Sequence, residues 1–192
     1  RVAAFYRFAH VAEPEVLRGE LQQLCRELDL RGTILVAPEG LNGTVAGRRE
    51  AIESLVSHLR GIPGFAELDV KFSDASEMPF HRMKVRLKRE IVTMGVAEID
   101  PVGGAGSYVA PADWNALIGD PDTVVVDTRN GYEVALGTFA GAIDPQTDSF
   151  RAFPAWAEAN REMLRGKRVA MFCTGGIRCE KATAYVRGLG VE

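Results

Sequence analysis

Cysteine is scarce in this sequence, with three in 192 residues. Cys25, Cys173 and Cys179 are too few and too unevenly spaced for a disulfide framework or a four-cysteine zinc site, which predicts reduced thiols in a cytoplasmic setting. Histidine is as sparse, and His10, His58 and His81 show no H-x-x-x-H spacing, so no metal site is expected. Long apolar runs are missing too: charge or glycine interrupts each hydrophobic stretch well short of the roughly 20 residues that span a bilayer, so no membrane association is predicted. No basic segment leads into an apolar one at the N-terminus, and residue 1 is Arg1 rather than Met, so the numbering is expected to begin inside a longer chain. The Gly103-Gly104 stretch is not a strand-to-helix turn of the G-x-G-x-x-G kind, and no flavin, nicotinamide or other resident cofactor is identifiable. What remains, at 46% hydrophobic and 26% charged residues with a formal net charge of −3, is an ordinary globular composition that excludes disorder and collagen-like structure.

The first segment alternates strand and helix signals. Val2 to Phe8 is β-branched and aromatic, and Pro14 opens a helix through Asp29 with Val16, Leu17, Leu21, Leu24 and Leu28 on one stripe and Cys25 as a core residue. Thr33 to Val36 and Thr44 to Ala46 flank A-P-E-G-L-N-G, whose glycines and Asn42-Gly43 pair predict a hairpin turn. A second helix is expected from Arg48 to Arg60, with Ile52, Leu55, Val56 and Leu59 at helical spacing and Gly61 and Pro63 as stops. Strands at Asp69 to Ser73 and Met83 to Met94 complete a β-α-β-β-α-β order with one extra strand, the pattern of a ferredoxin-like split βαβ domain over residues 1–97. Within the last strand, Arg82, Lys84, Arg86 and Lys88 alternate with Met83, Val85 and Leu87, so period-two geometry puts four cations on one side and apolar residues toward a core. Such a row either follows a phosphate backbone or forms the solvated outer face of an antiparallel sheet.

Residues 98–108 are glycine-rich and aperiodic, a linker into a second domain over 109–192. There Pro111 to Ile118 reads as a short helix, and Thr123 to Asp127 and Val169 to Phe172 as continuously apolar strands. Burial on both faces predicts a parallel α/β sheet. Working residues of such sheets collect at the carboxyl ends of the strands, where Asp127 and Cys173 fall.

The segment V-A-M-F-C-T-G-G-I-R-C-E-K-A-T-A-Y-V reads as a strand, a loop from Cys173, and a helix from about Cys179 with Ala182, Tyr185 and Val186 on one face. Backbone N–H groups of so tight a loop, with the positive end of the helix, stabilise a thiolate or a bound oxyanion. Gly175 and Gly176 let the loop curl, and Arg178 adds a forked positive charge suited to phosphate or another oxyanion. A cysteine phosphatase needs its arginine six positions after the cysteine, but that position is Cys179 and Arg178 stands at five. The smaller ring of amides suits a single sulfur better than a tetrahedral phosphate, which favours persulfide or related sulfur-centred chemistry.

D-T-R-N-G-Y-E-V-A-L-G-T-F-A-G-A-I, from Asp127 to Ile143, resembles the first conserved box of rhodaneses, with Asp127, Arg129, Glu133, Gly137 and Gly141 at matching places, and C-T-G-G-I-R is similar to the second. Thr138 stands where rhodaneses usually carry His. The loop C-T-G-G-I-R-C-E-K-A, the preceding ferredoxin-like domain and A-P-E-G-L-N-G-T-V-A-G together resemble the rhodanese-domain tRNA uridine(34) hydroxylase family over nearly the whole chain. This resemblance implies oxygen-dependent hydroxylation of the wobble uridine of tRNA to 5-hydroxyuridine, with molecular oxygen as co-substrate. Cys173 is then the catalytic cysteine, in a loop of Thr174, Gly175, Gly176, Ile177, Arg178 and Cys179. The resemblance also implies that the rhodanese-like domain continues past Glu192, and a sheet edge or apolar face left uncovered is expected near Val186 and Leu189.

The expected tRNA contacts are Arg82, Lys84, Arg86, Lys88 and Arg178. Asp127 either orients the cysteine loop or caps its own turn with Arg129. Cys179 either resolves a sulfenate or persulfide as a disulfide or caps the helix against the sheet. Glu180 and Lys181 are expected on a solvated helix surface. Glu39, Asn42 and Gly43 either shape a turn or face the cysteine loop or tRNA. Taken alone, the loop chemistry also fits a sulfurtransferase carrying sulfane sulfur on Cys173, whereas a catalytically silent RNA-binding module is disfavoured by the intact loop.

Overall fold

The computed structural model describes residues 1–96 and 99–191. It divides into two compact units, Arg1–Val92 and Thr93–Glu192. Ala97 and Glu98, where the sequence reading ends the first domain and begins the linker, lie outside the described residues. Among the described residues no helix is long and apolar enough to cross a membrane.

The first unit contains β1 (Val2–Phe8), α1 (Pro14–Glu27), β2 (Arg31–Ala37), β3 (Gly40–Ala46), α2 (Arg49–Gly61), β4 (Asp69–Ser73) and β5 (Met83–Leu87). Its sheet runs β4-β1-β3-β2-β5, antiparallel except where β5 joins β2 in parallel. This is the ferredoxin-like order with one added edge strand, as the element pattern predicts. Leu17, Leu21 and Cys25 of α1 and Ile52, Leu55 and Leu59 of α2 share one core cluster with Phe5, Ile34, Leu41, Val45 and Val85 of the sheet. Val16, expected on the buried stripe, is 52% exposed. The buried residues of α1 step by four from Leu17, and Val16 sits about 100° around the helix from Leu17.

Further expectations change. The hairpin turn is Pro38-Glu39, and Asn42 and Gly43 lie inside β3, opposite Leu35 and Ile34. Gly43 serves close approach, since a Cβ there would stand 2.8 Å from the end of the Phe5 ring. Asn42 Nδ2 donates to the Ile91 carbonyl at 3.0 Å, and the Ile91 N–H donates to Glu39 Oε1 at 2.7 Å. Both side chains clasp the segment that follows β5, and Ile91 is buried. Second, β5 stops at Leu87, short of Met94, because β2 is its ladder partner and β2 ends at Ala37. Leu87 is accordingly 44% exposed, and Val85 is the fully buried residue of the strand. On the outer edge of β5, Arg18 Nε donates to the Val85 carbonyl and the Val85 N–H donates to Gln22 Oε1, both at 3.3 Å. This side-chain cover blunts an edge that would otherwise invite strand pairing.

The second unit contains α3 (Pro101–Gly104), α4 (Pro111–Ile118), β6 (Thr123–Asp127), α5 (Gly131–Val134), a 3-10 turn at Phe150–Ala152, α6 (Phe153–Ala159), α7 (Arg161–Leu164), β7 (Arg168–Phe172) and α8 (Ile177–Gly188). β6 and β7 pair in parallel with Asp127 opposite Phe172, and Ile143 adds a parallel bridge to Val126. The stretch expected to be a linker is built into this unit. Asp100 Oδ1 accepts the Val102 N–H at 2.9 Å to cap α3, and the Gly106 N–H donates to Thr183 Oγ1 of α8 at 2.9 Å. α3 and α6 both pack on α8 and Val186 is 2% exposed, so the expected uncovering does not extend to Val186, whereas among the described residues β7 pairs with β6 alone and keeps a free sheet edge.

Asn42→Ala removes a donor to the buried Ile91 segment. The expected result is a loss of about 1 kcal/mol, read as a lower thermal midpoint with the secondary structure of the folded protein unchanged. An unaltered midpoint would contradict the clasp.

Candidate active site

The parallel register sets the site. With Asp127 opposite Phe172, the ends of β6 and β7 are level, and the Thr128 N–H donates to the Phe172 carbonyl at 3.0 Å. Cys173 is the next residue. Its loop closes through Gly176, whose φ of 98° lies in the left-handed region that glycine adopts without strain, and which serves as the N-cap of α8. The helix thus begins at Ile177, earlier than the Cys179 start expected, and Arg178 and Cys179 fall in its first turn.

The loop converges on one sulfur. The Gly176 N–H donates to Cys173 Sγ at 3.0 Å. The Cys179 thiol and the N–H groups of Cys179 and Gly175 donate to it as well. The Cys179 hydrogen bond is the largest influence; burial opposes it, the three amides reinforce it, and the Cys173 thiol is brought down to about 5. Cys179 moves the opposite way. Its hydrogen bond to Cys173, its burial and the neighbouring negative charge hold it as a thiol, while Thr128 and Arg178 act against them. Thr128 Oγ1 lies 3.6 Å from Cys179 Sγ and donates to the Phe172 carbonyl at 3.0 Å. Cys25, buried in the first unit, has its thiol pushed up to about 12 by burial and is a packing residue.

A single carboxylate brackets the loop. Glu133 Oε2 and Oε1 accept Arg178 Nη1 and Nη2 at 2.6 and 2.8 Å, and Oε1 also accepts the Thr174 hydroxyl at 2.7 Å. The Asn130 N–H donates to Oε2 at 3.2 Å, which ties the same carboxylate to the start of α5. Hydrogen bonding from Arg178 leads in lowering Glu133 to about 2, against burial. Arg178, read from sequence as an open fork for phosphate, is thus engaged by Glu133 with its side chain 14% exposed. The sequence reading placed Glu133 in a family box but assigned it no role. Its signal was the Asn130-x-x-Glu133 capping spacing, of which the structure makes the half in which Glu133 accepts the Asn130 N–H.

Of the two readings for Asp127, the geometry gives the turn. Fully buried, it accepts Arg129 Nε at 2.9 Å, Arg129 Nη2 at 2.6 Å, the Arg129 N–H at 3.1 Å and the Thr138 hydroxyl at 2.9 Å. Burial pushes its carboxyl up, and the combined donors from Arg129 and Thr138 outweigh it, leaving it lowered. Arg129 Nη2 also donates to the Gly137 carbonyl at 2.6 Å. Thr138 therefore contributes a hydroxyl to the buried acid.

Lys181, expected on a solvated surface, is 2% exposed, whereas Glu180 accepts the Tyr108 hydroxyl at 2.7 Å. They stand on α8, whose buried residues are Lys181, Ala182 and Val186. In the first unit, Lys84 and Arg86 pair with Thr33 and Leu35, on the face opposite core-directed Val85. Arg31 of β2 and Lys71 of β4 share that face by register. The sequence reading missed both, because only strand pairing puts them on that face, Arg31 on the strand next to β5 and Lys71 at the far edge of the sheet. Arg82 and Lys88 flank the strand and are exposed.

The lowered thiol predicts that iodoacetamide labelling of Cys173 rises with a midpoint near pH 5, where an ordinary cysteine titrates near about 8.5. Glu133→Gln should lose the charge-assisted pair with Arg178 at about 2 kcal/mol. The wild-type contribution from Glu133 is complete above the ordinary carboxylate range and disappears as pH falls toward 2. Equal stability of wild type and Glu133→Gln at pH 7 would refute the bracket.

Residues 1–91 match the family model described as UPF0176 acylphosphatase like domain. The chain is 65% identical over 192 residues to a protein of Mesorhizobium japonicum named tRNA uridine(34) hydroxylase, of which it covers 62%. It is 64% identical over 191 residues to a Brucella suis protein of the same name, of which it covers 63%. The chain therefore spans about three-fifths of the length of the curated relatives it matches. This identity to proteins named tRNA uridine(34) hydroxylase runs from the first strand of the chain through its cysteine loop.

Proposed function

We propose that this chain works within a tRNA-modifying oxidoreductase that hydroxylates the wobble uridine of tRNA, U34, to 5-hydroxyuridine, with molecular oxygen as co-substrate and Cys173 as the catalytic cysteine. The observation that carries this reading is the sulfur at the end of β7, held as a thiolate in a ring of amides. It stands beside the activity for which relatives 64 to 65% identical are named. Thiolate at neutral pH is the nucleophilic form of cysteine. Thr174, Gly175, Gly176, Ile177, Arg178 and Cys179 shape the loop; Glu133 positions its flanks, and Asp127 with Arg129 fixes the turn after β6. The cytoplasm, where mature tRNA is abundant, is the proposed setting.

The tRNA contact is proposed on the face of the first unit's sheet that carries Lys84 and Arg86, beside the segment that Asn42 clasps. Arg82, Lys84, Arg86 and Lys88 line or flank β5, and Arg31 extends the positive face inward onto β2. Cations spaced along a strand match a phosphate backbone, and each neutralised phosphate steepens the salt dependence of binding. Arg178 enters this proposal as a loop-positioning residue, since Glu133 occupies its fork. A sulfurtransferase is the second reading. It is favoured by the same ring of amides, which suits a sulfane sulfur carried on Cys173.

Nucleoside mass spectrometry of tRNA from cells lacking the gene, complemented with full-length wild type or Cys173→Ser, separates the readings. Hydroxylation predicts 5-hydroxyuridine restored by wild type and absent with the serine variant. Restoration by both would remove Cys173 from the mechanism. Failure of both, with each protein expressed and folded, would favour sulfur transfer, which predicts thiosulfate-dependent persulfide on Cys173. For the RNA face, Lys84→Glu with Arg86→Glu should weaken tRNA binding at least tenfold and flatten its salt dependence. Unchanged affinity and slope would place the contact elsewhere.

A further inference from the structure

Cys173 and Cys179 are both reduced and half-buried, with their sulfurs in hydrogen-bond contact across one turn of loop and helix. Thr128 fixes the second sulfur: its Oγ1 lies 3.6 Å from Cys179 Sγ while donating to the carbonyl of Phe172, the residue before Cys173. The end of β6 therefore holds Cys179 beside the strand end that presents its partner. Around Gly175 there is open space, with nothing within 4 Å of where a Cβ would stand. Sulfurs already in contact need a short closing movement to bond, and the loop has room for it.

We propose that Cys173 and Cys179 form a peroxide-responsive dithiol, a modification site that closes to an intramolecular disulfide and is reopened by a thiol reductant. In the first step the Cys173 thiolate attacks one oxygen of a hydroperoxide. The O–O bond breaks, Cys173 becomes a sulfenic acid, and the hydroperoxide is reduced to an alcohol or water after taking up a proton. In the second step Cys179 attacks the sulfenic sulfur. The S–S bond forms, the S–O bond breaks, and the departing hydroxide leaves as water with the Cys179 proton. Reopening by a dithiol transfers the disulfide to the reductant and returns both protons.

The site carries its own order of events. While Cys173 is a thiolate, its charge and hydrogen bond keep Cys179 protonated and inert. A sulfenic acid is neutral, so oxidation of Cys173 removes the charge that helps hold the Cys179 proton, while burial continues to hold it and Arg178 acts against burial. Attack by the neighbouring Cys179 captures the sulfenic acid before it climbs irreversibly to sulfinic acid. The inference rests on the Cys173 thiolate and not on the reaction with tRNA.

The test is treatment of the purified full-length protein with one equivalent of hydrogen peroxide, followed by alkylation of free thiols, trypsin digestion and mass spectrometry. Cleavage after Arg168, Arg178 and Lys181 puts the two cysteines in separate peptides, Val169–Arg178 and Cys179–Lys181. The expected product is the two peptides joined, and separated again by dithiothreitol. Cys179→Ser should yield no joined pair and several-fold more sulfinic acid at Cys173. The proposal is overturned if wild type forms no joined pair while Cys173 over-oxidises equally fast in both proteins. It is also overturned if Cys173 stays reduced in the folded wild type under peroxide that oxidises it after denaturation. Neither readout involves RNA, so a failure of the hydroxylase reading leaves the result interpretable.

Discussion

Keeping a negative charge on a half-buried sulfur is costly unless hydrogen-bond donors replace the lost water. In the second unit that requirement accounts for most of the local architecture. Parallel pairing of β6 and β7 delivers Cys173 to a strand end, and a left-handed glycine turns the chain so that α8 starts immediately. The amide of Cys179 in the first turn of that helix would otherwise lack a partner, and here it meets an anion together with the loop amides of Gly175 and Gly176. Charge and donors thereby stabilise one another. The second thiol completes the set, and its proton is held by the same charge that it stabilises.

So small a ring needs its flanks fixed. Glu133 does this from outside the ring by accepting from Thr174, immediately after the cysteine, and from Arg178, two residues past the N-cap glycine. Bidentate guanidinium–carboxylate geometry resists rotation as well as separation. Asp127 and Arg129 form a second pair that closes the β6 turn. Both acids come from the end of β6 and the turn that follows it, so the turn chemistry of one strand orders the loop of its neighbour. The first unit divides differently, into a core-directed sheet face covered by two helices and an opposite face that carries Lys84 and Arg86. A groove lined by residues of both helices presents Glu13, Glu20, Glu50 and Glu53, which repel phosphate. The basic sheet face is therefore the electrostatically suited side for RNA.

Local periodicity made the major elements legible. Apolar residues at helical spacing marked α1 and α2, continuous apolar runs marked β6 and β7, and the ferredoxin-like order followed from the sequence of strands and helices. Glycine, proline and alternation misled where tertiary partners decide. Asn42-Gly43 has turn composition yet lies in a central strand, because Phe5 needs the space above Gly43 and Ile91 takes the Asn42 amide. Alternation continued past Leu87 in the sequence, but the strand stopped where its neighbour ran out. Glycine-rich residues after Asp100 read as a linker and instead cap and dock a short helix onto α8, since small residues permit close approach.

By itself the sequence determined the identity of the reactive sulfur, the glycines that let its loop close, and the alternating cations of β5, since each depends on residues adjacent in the chain. Tertiary structure decided the rest. Whether Arg178 met phosphate or carboxylate depended on Glu133, 45 residues away, and the place of the Cys179 sulfur was set against Thr128, 51 residues away. Hydrogen bonds and charges act through distances of a few ångströms, and only folding brings residues so far apart in the chain within that range.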